Sequence, residues 1–171
     1  SADWLGRVIS ITYPDSEVVT TSYDALGRAK SLSSTQTSTL ATLAYNTLGQ
    51  IAENTLGNGV TMQNCYASQT NRLTARRAYS GSAQSCTVAH PQNALLDFTY
   101  GYDSIGNITS LNDAVIGEEF SFEYDHLDRL TQAEGLSATD FMAYRRAYTY
   151  DTIGNILSVS EFVDEPATPG T

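Results

Sequence analysis

A five-residue pattern recurs along the chain and constrains its fold more than any other feature. The copies are DWLGR (3–7), DALGR (24–28), NTLGQ (46–50), DSIGN (103–107), DHLDR (125–129) and DTIGN (151–155). Each has Asp or Asn first, Leu or Ile third, Gly or once Asp fourth, and a longer polar residue fifth. Successive copies begin 21, 22, 57, 22 and 26 residues apart, and a weaker copy, YASQTNRL (66–73), falls inside the longest interval. Repeats with such a period indicate a fold made of stacked supersecondary units.

Each copy is expected to form the turn of a β-hairpin. Gly at the fourth place adopts a positive φ without steric cost, and Asp or Asn at the first place accepts a backbone N–H two residues on. Together these residues predict a type I turn closed by a bulge. Where Gly is absent the chain has Asp128 and Asn71, the residue types that best tolerate the left-handed region. The predicted turn residues are Asp24 and Gly27, Asn46 and Gly49, Asp103 and Gly106, Asp125 and Asp128, and Asp151 and Gly154.

The segments on either side of the turns are predicted to be strands. Before the turns, large or β-favouring residues alternate, as in FTYGYD, FSFEYD and AYTYD, which places pairs of aromatic residues on one face. After the turns, apolar residues fall two and five places beyond the fourth position, as at Ile108 and Leu111. A spacing of three departs from strict alternation. Either a bulge shifts the phase or both faces are partly covered, and the sequence leaves both alternatives open.

The predicted fold class is all-β, with repeated antiparallel β-hairpins forming a curved meander sheet, a partial shell or a barrel. Because a lone hairpin cannot bury its apolar face, about seven hairpins over residues 1–162 must pair side by side. Residues 163–171 are expected to be a disordered acidic tail containing proline. The segment 136–148 has features of a short helix, but an elongated hairpin loop is the preferred interpretation.

Two internal ladders of side chains are expected on this sheet. The aliphatic turn residues, such as Leu26 and Ile153, would stack at one edge, and a row of tyrosines would lie beneath them. The tyrosine hydroxyls would bond to neighbouring turns. If the tyrosines were instead exposed on a concave surface, their rings would suit stacking on sugars. The predicted ladder consists of Tyr23, Tyr45, Tyr102, Tyr124 and Tyr150.

Charge and cysteine content limit the partners and the compartment. The net charge of −10 argues against nucleic acid and anionic membranes as partners, because both attract positive protein surfaces. The apolar runs are too short to span a bilayer. No signal-peptide pattern is seen, and the chain opens within a copy of the repeat, which indicates an excised or mature segment. Cys65 and Cys86 form either a disulfide, which would indicate an oxidising compartment, or two free thiols.

The residues give little support to catalysis or to metal binding. Carboxylates recur at every turn, which favours a capping role over a catalytic pair. His126 lies in a turn and His90 in the longest loop, without a nucleophile–histidine–acid arrangement. No calcium-binding pattern is present. We therefore predict no enzymatic activity, no cofactor and no metal site.

The Tyr-Asp pairs that precede the turns carry a resemblance to a known family. Tyr23-Asp24, Tyr102-Asp103, Tyr124-Asp125 and Tyr150-Asp151 make the chain similar to the YD-repeat, or RHS-repeat, family. Such repeats occur in bacterial polymorphic toxins, insecticidal toxin complexes and teneurins. The resemblance implies a β-sheet strip that winds into a hollow shell, which in the toxins encloses an effector. It therefore implies a structural scaffold that is exported or on the cell surface and is bacterial, or alternatively a carbohydrate-binding or cell-adhesion module.

The resemblance also suggests the partners of the chain. At 171 residues the chain is too short for a complete shell. The expected partners are the remaining repeats of a larger parent protein, or another copy of the chain paired through unprotected edge strands. Glycans are the partners under the adhesion alternative. No nucleic-acid partner and no membrane span are expected.

Overall fold

The structure is a computed structural model that describes residues 1–89, 91–137 and 143–164. Within these ranges the regular structure is thirteen β-strands, and no helix is present that could cross a membrane. The strands are β1 (Ser10–Thr12), β2 (Val18–Tyr23), β3 (Ala29–Ser34), β4 (Thr39–Tyr45), β5 (Ile51–Leu56), β6 (Val60–Tyr66), β7 (Leu73–Ser80), β8 (Ala94–Tyr102), β9 (Ile108–Asp113), β10 (Glu118–Tyr124), β11 (Leu130–Ser137), β12 (Ala143–Tyr150) and β13 (Ile156–Asp164).

The strands follow one another in the sheet in chain order, from β1 to β13. The pairing is antiparallel in, for example, β2–β3, β4–β5, β10–β11 and β12–β13, where each pair is joined by one of the repeated turns. The predicted all-β class, built from repeated antiparallel hairpins, is confirmed.

A bulge after each turn explains the irregular spacing of apolar residues. In β8–β9, Tyr102 lies opposite Ile108 and Tyr100 lies opposite Leu111, because one extra residue, Thr109, is accommodated in the second strand. The two apolar residues therefore share a face with the two tyrosines, although they are three apart in sequence. The same one-residue shift follows the turns at 24–28, 46–50, 125–129 and 151–155. Of the two alternatives, the shifted phase is the correct one.

The chain divides into two compact units. The first contains Ser1–Cys65 and Arg77–Leu95, so it holds β1 to β5, most of β6 and the C-terminal half of β7. Its best-buried side chains lie on β6 and β7 and include Tyr79 and Arg77, each 2% exposed. The long connection that follows β7 contacts Arg77 and other residues of these strands.

The long connection after β7 is fixed to the strands that it covers. A disulfide joins Cys86 in the connection to Cys65 on β6. The side chain of Gln63 donates a hydrogen bond to the carbonyl of Gln84 (2.7 Å), and Arg77 donates one to the carbonyl of Ala89 (2.9 Å). Polar groups of the strands thus satisfy backbone groups of the loop, as buried polar groups require.

The second unit contains Tyr66–Arg76 and Leu96–Thr171. Its apolar face carries aromatic side chains, among them Phe120 and Tyr144, whose ring centroids lie 6.3 Å apart. Gly135 lies opposite Tyr144 in β11–β12, and the tyrosine ring covers the space that a Cβ would occupy. A glycine in the middle of this strand is therefore explained by aromatic packing.

Two predicted segments extend beyond the described residues. β13 continues to Asp164, and residues 165–171 of the predicted tail lie outside the description. In the segment 136–148, residues 136–137 end β11 and residues 143–148 belong to β12, while 138–142 are not described.

Candidate functional site

The repeated turns share one set of backbone hydrogen bonds. Asp24 N donates to Arg28 O (2.8 Å), and Gly27 N donates to Asp24 O (2.9 Å). The same two bonds close the turns at 3–7, 46–50, 125–129 and 151–155. Gly27 has a φ of 81°, and Asn71 and Asp128 have φ values of 56° and 61°. We call the residue with positive φ the glycine position and the next residue the post-glycine position.

The carboxylate at the start of each turn binds both the backbone and the post-glycine side chain. Asp24 Oδ1 accepts from the N–H groups of Leu26 and Arg28 (2.9 Å each), and Oδ2 accepts from Arg28 Nε (2.7 Å). Asp3 and Asp125 bind Arg7 and Arg129 in the same way.

Amide side chains take the place of arginine in the other turns. Asn107 and Asn155 donate to Asp103 and Asp151 at 3.0 and 2.8 Å. At the one turn that begins with Asn, the pair is Asn46 with Gln50 (2.8 Å). The side chains of the first and post-glycine residues are therefore hydrogen-bonded in all of these turns, a pairing that our sequence prediction missed.

This environment lowers the pKa values of the turn carboxylates. The hydrogen bond from the Arg129 side chain is the main cause that lowers the pKa of Asp125 to about 2, outweighing partial desolvation. In Asp24 the backbone N–H of Arg28 is the main cause of a lowered pKa. A general acid at neutral pH requires a raised pKa, so these shifts favour turn capping over proton transfer.

The tyrosine before each turn binds the preceding repeat. Tyr23 donates its hydroxyl hydrogen to the carbonyl of Val8 (2.8 Å), which lies two residues beyond the glycine position of the first turn. All five tyrosines of the predicted ladder are half-buried. The other four bonds are Tyr45 to Ala29 (2.7 Å), Tyr102 to Leu73 (2.8 Å), Tyr124 to Ile108 (2.8 Å) and Tyr150 to Leu130 (2.6 Å).

The post-glycine arginine of one repeat covers the tyrosine of the next. Such cation–π contacts contribute about 0.5–1 kcal/mol at partly exposed sites. Arg72 and Arg129 also donate to the carbonyls of Asp103 (2.9 Å) and Asp151 (3.0 Å) in the following turn. The distances from the guanidinium carbon to the ring centroid are 4.3 Å for Arg7 and Tyr23, 4.2 Å for Arg28 and Tyr45, 5.6 Å for Arg72 and Tyr102, and 4.6 Å for Arg129 and Tyr150.

In two of the following turns the arginine lies close against the glycine. A Cβ on Gly27 would lie 2.9 Å from Arg7 Nη1, and a Cβ on Gly106 would lie 3.0 Å from Arg72 Nη2. A Cβ at either position would therefore have to displace the tip of the arginine, and the positive φ independently favours glycine. Gly154 differs, because no atom lies within 4 Å of its added Cβ.

The post-glycine residue of one repeat correlates with the residue at the glycine position of the next. Wherever the post-glycine residue is Arg, the glycine position of the next repeat is Gly. Where it is Asn107, the next glycine position is Asp128, and Asn107 Nδ2 donates to Asp128 Oδ1 (3.2 Å). The six steps in sequence are Arg7 to Gly27, Arg28 to Gly49, Gln50 to Asn71, Arg72 to Gly106, Asn107 to Asp128 and Arg129 to Gly154. This correlation is visible in the sequence when each repeat is compared with the next, and our prediction from the pattern within single repeats missed it.

The aliphatic turn residues are not an internal ladder, and that expectation was wrong. Leu26 is 78% exposed and Ile153 is 84% exposed. The third residue occupies the outer corner of a tight turn, so its side chain points away from the strands. The other exposed members of this row are Leu5, Leu48, Ile105 and Leu127.

The remaining candidate residues form no chemical site. His126 is exposed in its turn, and His90 lies outside the described residues. Across the described part of the chain, no three His, Cys, Asp or Glu side chains are grouped to hold a metal ion. The repeated contact between successive turns is thus the candidate functional site, and we call it the repeat junction.

Comparisons with known proteins agree with the repeats and the fold. A family model described as RHS Repeat matches residues 5–39. The chain is similar to toxin subunit YenC2 of Yersinia entomophaga, with 27% identity over 162 residues that cover 75% of this chain and 16% of that protein. The predicted resemblance to the YD-repeat, or RHS-repeat, family is confirmed.

Solved structures show the same fold. One is the Photorhabdus luminescens Tc holotoxin pore, with a TM-score of 0.76, 22% identity, and coverage of 95% of this chain and 9% of that chain. Another is TcdB2-TccC3, with a TM-score of 0.75, 23% identity, and coverage of 99% and 9%. The chain therefore spans only a small part of the proteins that it matches.

Proposed function

We propose that this array of YD (RHS) repeats is a structural scaffold, a segment of the wall of a larger exported bacterial shell that encloses or presents a toxic effector. The observation that carries the proposal is the repeat junction. The conspicuous polar groups of each turn, the carboxylate, the post-glycine side chain and the tyrosine hydroxyl, bind the same or the neighbouring repeat. Such a chain is built to extend a sheet repeat by repeat.

The relatives support a scaffold role within a larger assembly. They are toxin-complex proteins, and the chain corresponds to 16% of toxin subunit YenC2 and 9% of the matched structures. The disulfide between Cys65 and Cys86 supports export, because such bonds persist in oxidising compartments.

The junction geometry supports the scaffold over sugar binding through the tyrosines. Their hydroxyls are donated to carbonyls of the preceding repeat, and four of the five rings have a guanidinium group over one face. A ring that stacks on a sugar needs an open face and a polar tip that is free to bind. A glycan array probed with the chain is expected to show no tyrosine-dependent binding. A signal that is present for the wild type and lost in Tyr45→Ala would favour sugar binding instead.

Protease protection in the intact parent protein tests the scaffold role. An enclosed effector is expected to resist an added protease, and the double variant Arg28→Ala, Tyr45→Ala should make it cleavable by opening one junction. Leu26→Ser is the matched control, because this residue lies at an exposed corner and leaves the junction intact. An effector that is cleaved equally fast in the wild type and in both variants would contradict enclosure.

A further inference from the structure

We infer that the outer edge of β13 is an interaction surface for one further hairpin of the same repeat type, which carries a tyrosine before its turn and Asp or Asn at its glycine position. The inference rests on the proposed function only in treating the chain as one segment of a longer array. It specifies the residues of the partner, which the scaffold role alone does not.

The first observation is a carbonyl that accepts a tyrosine hydroxyl in five of the junctions given above. The carbonyl two residues beyond the glycine position accepts a tyrosine hydroxyl from the next repeat, as at Ile108 and Leu130. The equivalent carbonyl in the last turn belongs to Ile156. Among the described residues, no tyrosine hydroxyl donates to it.

The second observation is the exposure of β13. Among the interior equivalents of Ile156, Ile108 and Leu130 are half-buried and Ile51 is 39% exposed, whereas Ile156 is 57% exposed. Val159 is likewise exposed, although its interior equivalent Leu111 is half-buried. β13 is last in the strand order, so its outer edge has no neighbouring strand within the described residues. An apolar edge strand of this kind is suited to the addition of another strand.

The third observation specifies which hairpin fits. Asn155 donates one amide N–H to Asp151 (2.8 Å), as Asn107 does to Asp103. Asn107 uses its amide for a second bond, to Asp128 at the next glycine position. By the same geometry, Asn155 selects a repeat with a carboxylate or amide at its glycine position rather than one with Gly.

The first hairpin of a second copy lacks both features. It has Ala2 where the tyrosine would stand and Gly6 at its glycine position. Its strand β1 has three residues, against nine in β13. The hairpin β10–β11, which carries Tyr124 and Asp128, has the required chemistry and is the model for the partner.

An insertion in the full chain tests the surface. A copy of residues 114–137, which connect β9 to β10 and form the hairpin β10–β11, is inserted after Asp164. We expect hydrogen–deuterium exchange of the backbone amides of 156–164 to slow by about tenfold, because the outward N–H groups gain partners. Replacing Tyr124 by Phe in the inserted copy alone should make this exchange about fivefold faster again, because one hydrogen bond to the edge is removed. If the insertion left the exchange of these amides unchanged, the inference that the edge of β13 binds a further hairpin would be wrong.

A four-way comparison tests the specificity. The wild type and the Asn155→Arg variant each receive the inserted hairpin, either with its Asp at the glycine position or with Gly there. We expect the amides of 156–164 to exchange slowly when Asn155 faces Asp at the glycine position of the insertion, and when arginine at position 155 faces Gly there. In the two mismatched chains, exchange should be at least about threefold faster. Equal exchange in all four chains would overturn the assignment of the partner.

Sedimentation of the chain without an insertion tests whether a second copy of the chain binds the edge of β13. A dimer whose formation protects 156–164 would show that a second copy occupies this edge, and would overturn the inference. A monomer, with these amides exchanging freely, is the expected result. Neither measurement involves an effector, so failure here is distinct from failure of the protease-protection test.

Discussion

At the scale of single residues, glycine has two separable roles in the repeat junction. The positive φ is a property of the turn itself, whereas the lack of a Cβ allows the arginine of the preceding repeat to lie over the turn. Gly27 and Gly6 have nearly equal φ values, 81° and 79°, but only Gly27 has a neighbouring guanidinium. The chain thus contains its own control for the packing role.

Gly27→Ala is expected to destabilise the chain more than Gly6→Ala. In both variants an alanine must adopt a positive φ, which lowers the free energy of unfolding by about 1–2 kcal/mol. Only the first also displaces Arg7, which adds about 1 kcal/mol of overpacking. Urea denaturation of the two variants measures the difference, and equal losses of stability would show that Arg7 moves aside freely.

A double-mutant cycle tests the correlation between successive repeats. Asn107→Arg alone places a long side chain against Asp128, whose Cβ occupies the space that glycine leaves open elsewhere. Combining it with Asp128→Gly restores the arrangement of the Arg7–Gly27 step. We expect the double variant to be more stable than the sum of the single effects by about 1 kcal/mol. Additive effects in the denaturation midpoints would mean that the two positions are independent.

The turn carboxylates predict a loss of stability in acid. The pKa of Asp125 is about 2 in the folded chain, below the value of about 4 in an unfolded chain. Its contribution is therefore complete above about pH 4 and is lost as the pH falls through about 2. Urea midpoints measured from pH 7 to pH 2 should fall mainly in this window. Asp125→Asn should reduce the drop, and an unaltered pH profile in that variant would contradict the assignment.

At the scale of the elements, the hairpins are held together by hydroxyl groups as well as by strand pairing. Tyr45 joins its hairpin to the carbonyl of Ala29 in the preceding one. The bulge after each turn brings apolar residues onto the same face as these tyrosines. Local turn geometry therefore decides which side chains meet between hairpins.

Tyr45→Phe is expected to cost about 1 kcal/mol, because it removes one hydrogen bond and leaves the carbonyl of Ala29 with one partner fewer. Tyr13→Phe is the matched control, since Tyr13 is exposed on the connection between β1 and β2. Thermal denaturation of both variants measures the effect. A loss that is equally small in both would show that the hydroxyl bond contributes little.

The long connection after β7 depends on its disulfide. Replacing Cys65 and Cys86 by Ala opens a loop closed across 21 residues of sequence separation. We expect a loss of about 3 kcal/mol and faster amide exchange in residues 81–89. The double variant should also become insensitive to dithiothreitol, which destabilises the wild type. No change in stability would show that Gln63 and Arg77 hold the loop without the covalent link.

At the scale of the whole molecule, each repeat contacts its neighbours in sequence, so stability is expected to be nearly a sum of local terms. Tyr45→Phe and Tyr150→Phe lie in different compact units. Their combined effect on the free energy of unfolding should equal the sum of the single effects within about 0.5 kcal/mol. A larger departure, measured by urea denaturation, would indicate coupling that the junctions do not provide.

The sequence by itself determined the turns, the β class and the family resemblance, because these depend on a short pattern of residues within five positions of one another. Asp and Gly at fixed spacing specify a tight turn wherever they occur. The tertiary structure decided the shared face of Ile108 and Leu111, the outward position of Leu26, and the arginine over the next glycine. The first two depend on the exact bulge and turn geometry of one hairpin. The third joins residues about twenty positions apart, and its geometry exists only after neighbouring hairpins have paired.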